Sequence, residues 1–290
     1  MWAASVADFV YGTLLRPRPL RWAANAALRA MLPSRIEIEG AIVVLNPADP
    51  VISGALTLGV YEKAEINFVR SMCRPKMTVL DVGANVGLYT ALCGRAVGAS
   101  GVVVAVEPDP QSRKFLHQTI DANSLTNCTV IAAAASDVPG VGSLYVSHEN
   151  RGDNRLYANP LAGSSIQVDV VRLDDELERR EIAAIEFLKI DIQGFEPYAM
   201  SGLQRTIERS KDLVVLSELW PDGIQQAGRQ AEAYLSELLG HGFELFELGR
   251  TGRMSKVTAI EPLLNKYPGR KYTNIVAIRD PNRLRTAGLI

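Results

Sequence analysis

The sequence predicts an α/β domain built on a mostly parallel sheet with helices on both faces. Two observations predict it. From Met77 onward, short continuous apolar runs alternate with amphipathic helical patterns, and such runs belong to strands covered on both sides. The first run, Met77–Val82, passes directly into a glycine-rich turn, Asp81-Val-Gly83-Ala-Asn85-Val-Gly87, and then a helix. Ligands bind at that kind of junction in open α/β sheets.

The elements follow in order. Residues 1–35 hold five arginines (Arg16, Arg18, Arg21, Arg29, Arg35) against Asp8, with helical patterns at Ser5–Leu15 and Leu20–Met31 split by Arg16–Pro19. This arm reads first as a helical extension packed on the body, with a membrane-surface or partner-docking arm, or a lid, as alternatives. A hairpin-like stretch, Ile36–Leu45, and a helix near Leu58–Met72 come next. The organisation is thus residues 1–50 as extension and hairpin, and 51–290 as the α/β domain. After the first strand come a helix over Leu88–Val97, a strand over Gly101–Val106 and a helix opened by the cap Asp109 and Pro110. A third strand covers Cys128–Ala133. Residues 137–173 break the alternation with two β-like runs, Gly142–Val146 and Ile166–Val171. Strands at Ile185–Ile192 and Leu213–Leu219 resume it, a helix spans Ala227–Leu239, and Phe243–Leu248 and Asn274–Arg279 are two late strands.

Composition excludes several classes. A formal net charge of -1 gives no global basic face for nucleic acid. Cys73, Cys93 and Cys128 form neither a CxxC pair nor a disulfide framework, and read as small buried hydrophobes. No apolar run is long enough for a transmembrane helix and the N-terminus is a poor secretory signal. The expected location is cytoplasmic, with attachment to the inner face of a membrane through the basic arm as the alternative.

The strand ends carry the chemistry. At the first, an acidic residue followed by G-x-N-x-G differs from the G-x-G-x-x-G of a dinucleotide loop. A pyrophosphate favours a bare helix N-terminus; Asp81 suits a ligand bearing a cation, such as the ammonium of S-adenosylmethionine (SAM). At the second, Glu107 can accept both hydroxyls of a ribose. At the third, Ser136 and Asp137 are candidates for an adenine edge. At the fourth, Lys189 and Asp191 lie two apart on one face of an apolar strand, where unpaired charges would be costly. Glu218, ending the fifth strand, adds a carboxylate to the same rim.

Taken together, these segments resemble the FkbM family of SAM-dependent methyltransferases. The matching pieces are YEKAE at Tyr61–Glu65, VLDVGANVGLYT at Val79–Thr90, VVAVEPDP at Val103–Pro110, the Ala133–Asp137 turn, VVRLDD at Val170–Asp175 and LKIDIQGFE at Leu188–Glu196. Glu149–Tyr157 resembles the family's N-x-G-x-x-R segment. The resemblance implies a Rossmann-like class I methyltransferase fold, with a seven-stranded sheet and a reversed final strand. It implies O-methylation of a sugar, glycolipid, glycan or secondary metabolite. It places SAM on Asp81, Gly83, Asn85 and Gly87, with its ribose on Glu107, Ser136 and Asp137 near adenine, and Tyr61 and Glu62 closing the methionine end. Asn154, Arg155 and Glu196 are its candidate acceptor-binding residues.

Methyl transfer to oxygen needs an aligned acceptor and a proton sink. Asp191 is the candidate general base or acceptor anchor, with Lys189 and Glu218 setting its charge state. One rival reading has Asp191 and Glu218 hold a divalent metal, for which no third ligand is evident. Others are a non-catalytic SAM- or NAD-binding module and a methyltransferase-like scaffold. Six basic residues within Gly249–Thr273 (Arg250, Arg253, Lys256, Lys266, Arg270, Lys271) read as a solvated loop, with contact to an acidic glycan as the alternative. A homo-oligomer is open.

Overall fold

The computed structural model of the chain describes residues 32–59, 61–147, 150–158 and 162–290. The two helical patterns before residue 32 lie outside the described residues. A hairpin of β1 (Arg35–Ile38) and β2 (Ala41–Val44) comes first, its turn made by Glu39 and Gly40 at positive φ, the pairing that matches strand twist.

Helices α1 (Pro50–Thr57) and α2 (Lys63–Met72) follow. The helix expected near Leu58–Met72 begins at Lys63, and α1 precedes it where no helix was expected. Asp49 caps α1 through a hydrogen bond from the Ile52 amide, 3.1 Å, with Pro50 behind it, a start signal that the sequence contains. The chain leaves helical geometry at Gly59 (φ 61) and Glu62 (φ 38).

The core alternates β3 (Thr78–Val82), α3 (Leu88–Val97), β4 (Val102–Val106), α4 (Pro110–Ala122) and β5 (Cys128–Ile131). Asp109 caps α4 as expected, accepting from the Gln111 amide. The hairpin docks here: Asn123 exchanges two hydrogen bonds with the Ile42 backbone, and Thr119 accepts from the Val44 amide. The expected third strand ends at Ile131. A separate β6 (Ala134–Ser136) joins β7 (Gly140–Val146) and β8 (Ser164–Arg172) in a small sheet of order β6-β8-β7.

The chain continues through α5 (Leu173–Glu178), β9 (Phe187–Ile190), α6 (Glu196–Ser201), α7 (Gln204–Arg209), β10 (Val214–Leu219), α8 (Pro221–Gln226), α9 (Ala231–Gly240), β11 (Glu244–Leu248), β12 (Met254–Lys256), α10 (Ile260–Leu264), β13 (Thr273–Ile278) and α11 (Asn282–Thr286). The helix expected from Ala227 starts at Ala231, because Gly228 turns at φ 94 and Ala227 closes α8. The main sheet has the order β12-β11-β13-β10-β9-β3-β4-β5. β13 runs antiparallel to both neighbours, while β3, β4, β5, β9 and β10 are mutually parallel. This is the class I methyltransferase arrangement, reversed strand included.

Eight strands stand where seven were expected. The extra one, β12, lies inside the basic stretch read as a loop, with Met254 buried and Lys256 ion-paired to Glu244, 2.5 Å. Three residues are too few to show a strand period.

Successive strand residues enter two different cores. Val79, Phe187 and Leu216 pack on one face of the sheet, and Leu80, Leu188 and Val215 on the other. Continuous apolar runs are the consequence. The same alternation puts Asp81, Lys189 and Glu218 on the first face, with Asp81 and Lys189 adjacent in register. Cys73 and Cys93 are buried free thiols and Cys128 is half-buried. Among the described residues no helix is long and apolar enough to cross a membrane.

Candidate active site

The first junction is tightly built. Gly83 turns at φ 84, and a Cβ there would fall 2.0 Å from the Asp191 carbonyl oxygen. At Gly87 (φ 90) a Cβ would fall 2.7 Å from Leu116. Conformation favours glycine at both positions, and at Gly83 the backbone contact requires it as well. Asp81 is fully buried. Its Oδ2 accepts from the Thr90 hydroxyl, 2.6 Å, and its Oδ1 has no partner. Burial pushes its carboxyl up, with Lys189 opposing. Asn85 also keeps a buried, unpartnered Oδ1. Unpartnered buried oxygens are costly, and a ligand with N–H or O–H groups would satisfy them.

Glu107 ends β4. Its two oxygens accept from the amides of Asn85 (2.9 Å) and Asp109 (2.8 Å), and each retains a lone pair for a ribose hydroxyl. Burial raises its carboxyl to about 7, against those two amides.

Tyr61 and Glu62 approach from the α2 side. The Tyr89 hydroxyl donates to Glu62, 2.5 Å, and Lys189 Nζ lies 4.8 Å from the Tyr89 ring centroid. Burial raises Glu62 to about 7, with Lys189 opposing, and raises the Tyr61 phenol. Lys189 donates to Asp191 Oδ2, 3.2 Å. Burial works against its charge, but Asp191, Glu62 and Asp81 outweigh it and hold the amine above its ordinary value. Glu218 is pushed well up by burial, then by the charges of Asp191 and Glu196. The candidate residues Lys189, Asp191 and Glu218 are therefore brought together, Lys189 pairing with Asp191 and the Gln193 amide bridging Asp191 to Glu218, with the Asp191 carbonyl lying against Gly83 of the glycine loop.

Ser136 and Asp137 fare differently. They lie past the end of β5, in and after β6. Ser136 donates to Asp137, 3.0 Å, and Asp137 pairs with Arg229, 2.9 Å, whose guanidinium stacks over Tyr198. Their polar atoms are largely engaged within the protein.

Residues 150–158 form a strap across the site. At one end Arg151 pairs with Asp109, 2.6 Å, and its amide donates to Asp49. Asn154 accepts from the Ser147 amide, 3.0 Å, and turns its own amide to Asp109. At the other end Arg155, paired with Asp153, is buried with its guanidinium 4.4 Å from the Trp220 ring centroid. The Tyr157 hydroxyl donates to the Gln193 carbonyl, 2.7 Å.

A third carboxylate, not evident from sequence as a partner of Asp191 and Glu218, joins them. Glu196 opens α6 and turns back, so that one oxygen of each of the three lies within 4.8 Å of the others. Sequence reading also missed Arg151, Tyr157, Gln193 and Trp220. Trp220 follows the tip of β10 directly, and the rule that strand tips carry the site could have found it. Arg151 and Tyr157 carry no such signal.

Residues 81–245 match the Methyltransferase FkbM domain family. No curated protein matches the chain. Among solved structures it is similar to methyltransferase FkbM from Methylobacillus flagellatus KT, at 16% identity over 89% of this chain and 59% of that one, TM-score 0.43. It is also similar to a SAM-dependent O-methyltransferase from Thermotoga maritima (12%, 84% and 77%, 0.41). A third is a precorrin-6y C5,15-methyltransferase from Geobacter metallireducens GS-15 (10%, 75% and 87%, 0.42). With more than half of its length matched, from the acidic strand tip through β11, the chain belongs to the FkbM family of SAM-dependent methyltransferases.

Proposed function

We propose that this chain transfers the methyl group of SAM to a hydroxyl oxygen of a sugar, glycan, glycolipid or secondary metabolite. The observation that carries the reading is the position of Asp191. Its side chain is held by Lys189, and its carbonyl lies against Gly83 of the cofactor loop. A proton acceptor is thus fixed to the loop that holds the methyl donor.

The transfer is an in-line displacement. The acceptor oxygen forms a bond to the methyl carbon, the carbon–sulfur bond breaks, and its electron pair returns to sulfur as a neutral thioether. Asp191 takes the hydroxyl proton. Lys189 pairs with that carboxylate and orients it. Asp81, Asn85 and Glu107 hold the donor, and Tyr61 and Glu62 close its methionine end. Arg155 and the Trp220 ring line the acceptor side; aromatic and guanidinium faces suit a polyhydroxylated ring.

The experiment pairs mass spectrometry of cell-envelope glycans and metabolites, with and without the protein, with the Asp191→Asn variant. Methylation of the acceptor so found should vanish in that variant, while S-adenosylhomocysteine (SAH) binding stays within a few-fold. Turnover near normal in Asp191→Asn would sink the assignment.

A further inference from the structure

The three carboxylates beyond the cofactor loop are placed unlike an ordinary buried ion-pair network. Glu196 is fully buried, and its Oε1 accepts from the amides of Ile192 (2.9 Å) and Gly194 (3.2 Å). Its Oε2 is buried with no hydrogen-bond partner among the described residues. The same side chain offers an oxygen within 4.8 Å of one from Asp191 and one from Glu218. A buried carboxylate oxygen left without a donor is costly, and here it stands beside two further carboxylates.

Gln193 marks the place between two of them. Its amide nitrogen is 3.0 Å from Asp191 Oδ1 and 3.0 Å from Glu218 Oε2. The positive end of the amide dipole sits where a cation would. Turning that amide over would present Oε1 instead, a further oxygen facing the same point. Charge points the same way. Glu62, Asp81, Asp191 and Glu218 face one ammonium, Lys189, and burial without further cations works against the charged forms of Glu62 and Glu218. The sulfonium, ammonium and carboxylate of SAM add only a single net positive charge.

We propose that Asp191, Glu196 and Glu218 bind one divalent cation of the oxygen-preferring kind, Mg2+ or Mn2+, on the acceptor side of the site. The donor set is all carboxylate and amide oxygen, which selects hard cations over zinc or copper. Resting on the methyl-transfer reading, the inference adds a place where an acceptor hydroxyl can be held and made more acidic before its proton leaves to a carboxylate. Asp191 serves through Oδ1, while Oδ2 keeps its bond to Lys189.

The test is titration of the full chain with Mn2+ alone, followed by loss of the free-ion electron paramagnetic resonance signal, with and without SAH. One saturable Mn2+ per chain is expected. Glu196→Gln and Glu218→Gln should each weaken it by about tenfold or more, whereas Glu178→Gln, exposed at the end of α5, should not. Glu196→Gln retains an oxygen for the Ile192 and Gly194 amides. Should it nonetheless fail to fold, Glu218→Gln, whose carboxylate accepts only from the Gln193 side chain among the described residues, decides. No saturable uptake, or uptake undiminished in the folded variants, overturns the cation site. SAH binding measured by calorimetry separates the two readings. SAH bound without Mn2+ removes only the cation, and Mn2+ bound by a chain that cannot take SAH keeps the cation and removes methyl transfer.

Discussion

The two halves of the site are built by different means. In the cofactor half, at the tips of β3 and β4, the chain meets itself through backbone. Glu107 takes two amides, and Gly83 and Gly87 press against neighbouring atoms. In the acceptor half, at the tips of β9 and β10, side chains meet side chains, apart from Glu196 on its two amides. Lys189, Asp191, Gln193 and Glu218 are linked to one another, and the strap covers them through Arg155 and Tyr157. A backbone-made site is rigid and specific for one shape. A side chain-made site changes with few substitutions, as a site for varied acceptors requires.

The largest effect is expected where the halves touch. In Gly83→Ala the new Cβ would stand 2.0 Å from the Asp191 carbonyl, at φ 84. Neither backbone can yield cheaply, so a loss of about 3 kcal/mol or more is expected, with SAH binding abolished. Gly98→Ala, at φ 67 and ψ -178 but with nothing within 4 Å, should cost about 1–3 kcal/mol through backbone strain alone and leave SAH binding intact. Denaturant unfolding and calorimetry check both. A Gly83→Ala chain that binds SAH normally would mean the halves are not in contact.

Next comes Glu107, which belongs to the cofactor half alone. Its carboxyl stands at about 7 through burial. Ribose hydroxyls donate to the charged form, so a bound ligand favours ionisation and protons compete with it. SAH affinity should therefore rise as pH climbs through about 7, and level off above. Glu107→Gln should bind about tenfold more weakly, a loss of roughly 1.4 kcal/mol, and show no such rise. An unchanged pH slope in that variant would assign the titration to another group, Glu62 first.

This contrast also explains what the sequence disclosed. Leu88–Val97 is a helix with the expected ends, Asp109 and Pro110 open α4, and Lys189 pairs with Asp191. Each is a local pattern, spanning a turn or a strand. Glu196 lies only five residues from Asp191, yet its return into the cluster depends on Gln193 and Gly194 at positive φ, which spacing does not reveal. Arg155 against Trp220, and Tyr157 against Gln193, join positions 65 and 36 residues apart. Such contacts come from tertiary packing and leave no periodicity to read. β12 was hidden by brevity, and the Leu58–Glu62 break by a left-handed glutamate.

The smallest effect tests whether the strap belongs to the acceptor half. Tyr157→Phe removes one hydroxyl, the donor to the Gln193 carbonyl at 2.7 Å. A hydrogen bond of this kind contributes about 0.5–1.5 kcal/mol, so a small drop in melting temperature is expected. Amide exchange should quicken locally at Gln193 and Gly194, where the positive-φ turn loses its outer support. SAH affinity should not move, because no atom of that hydrogen bond meets Asp81, Asn85 or Glu107. Arg151→Ala cuts the opposite end, the ion pair to Asp109 two residues beyond Glu107, and there SAH affinity should fall. Equal losses of SAH affinity in the two variants would show the strap moving as one body. The acceptor cover would then be coupled to the cofactor loop from above as well as through Gly83.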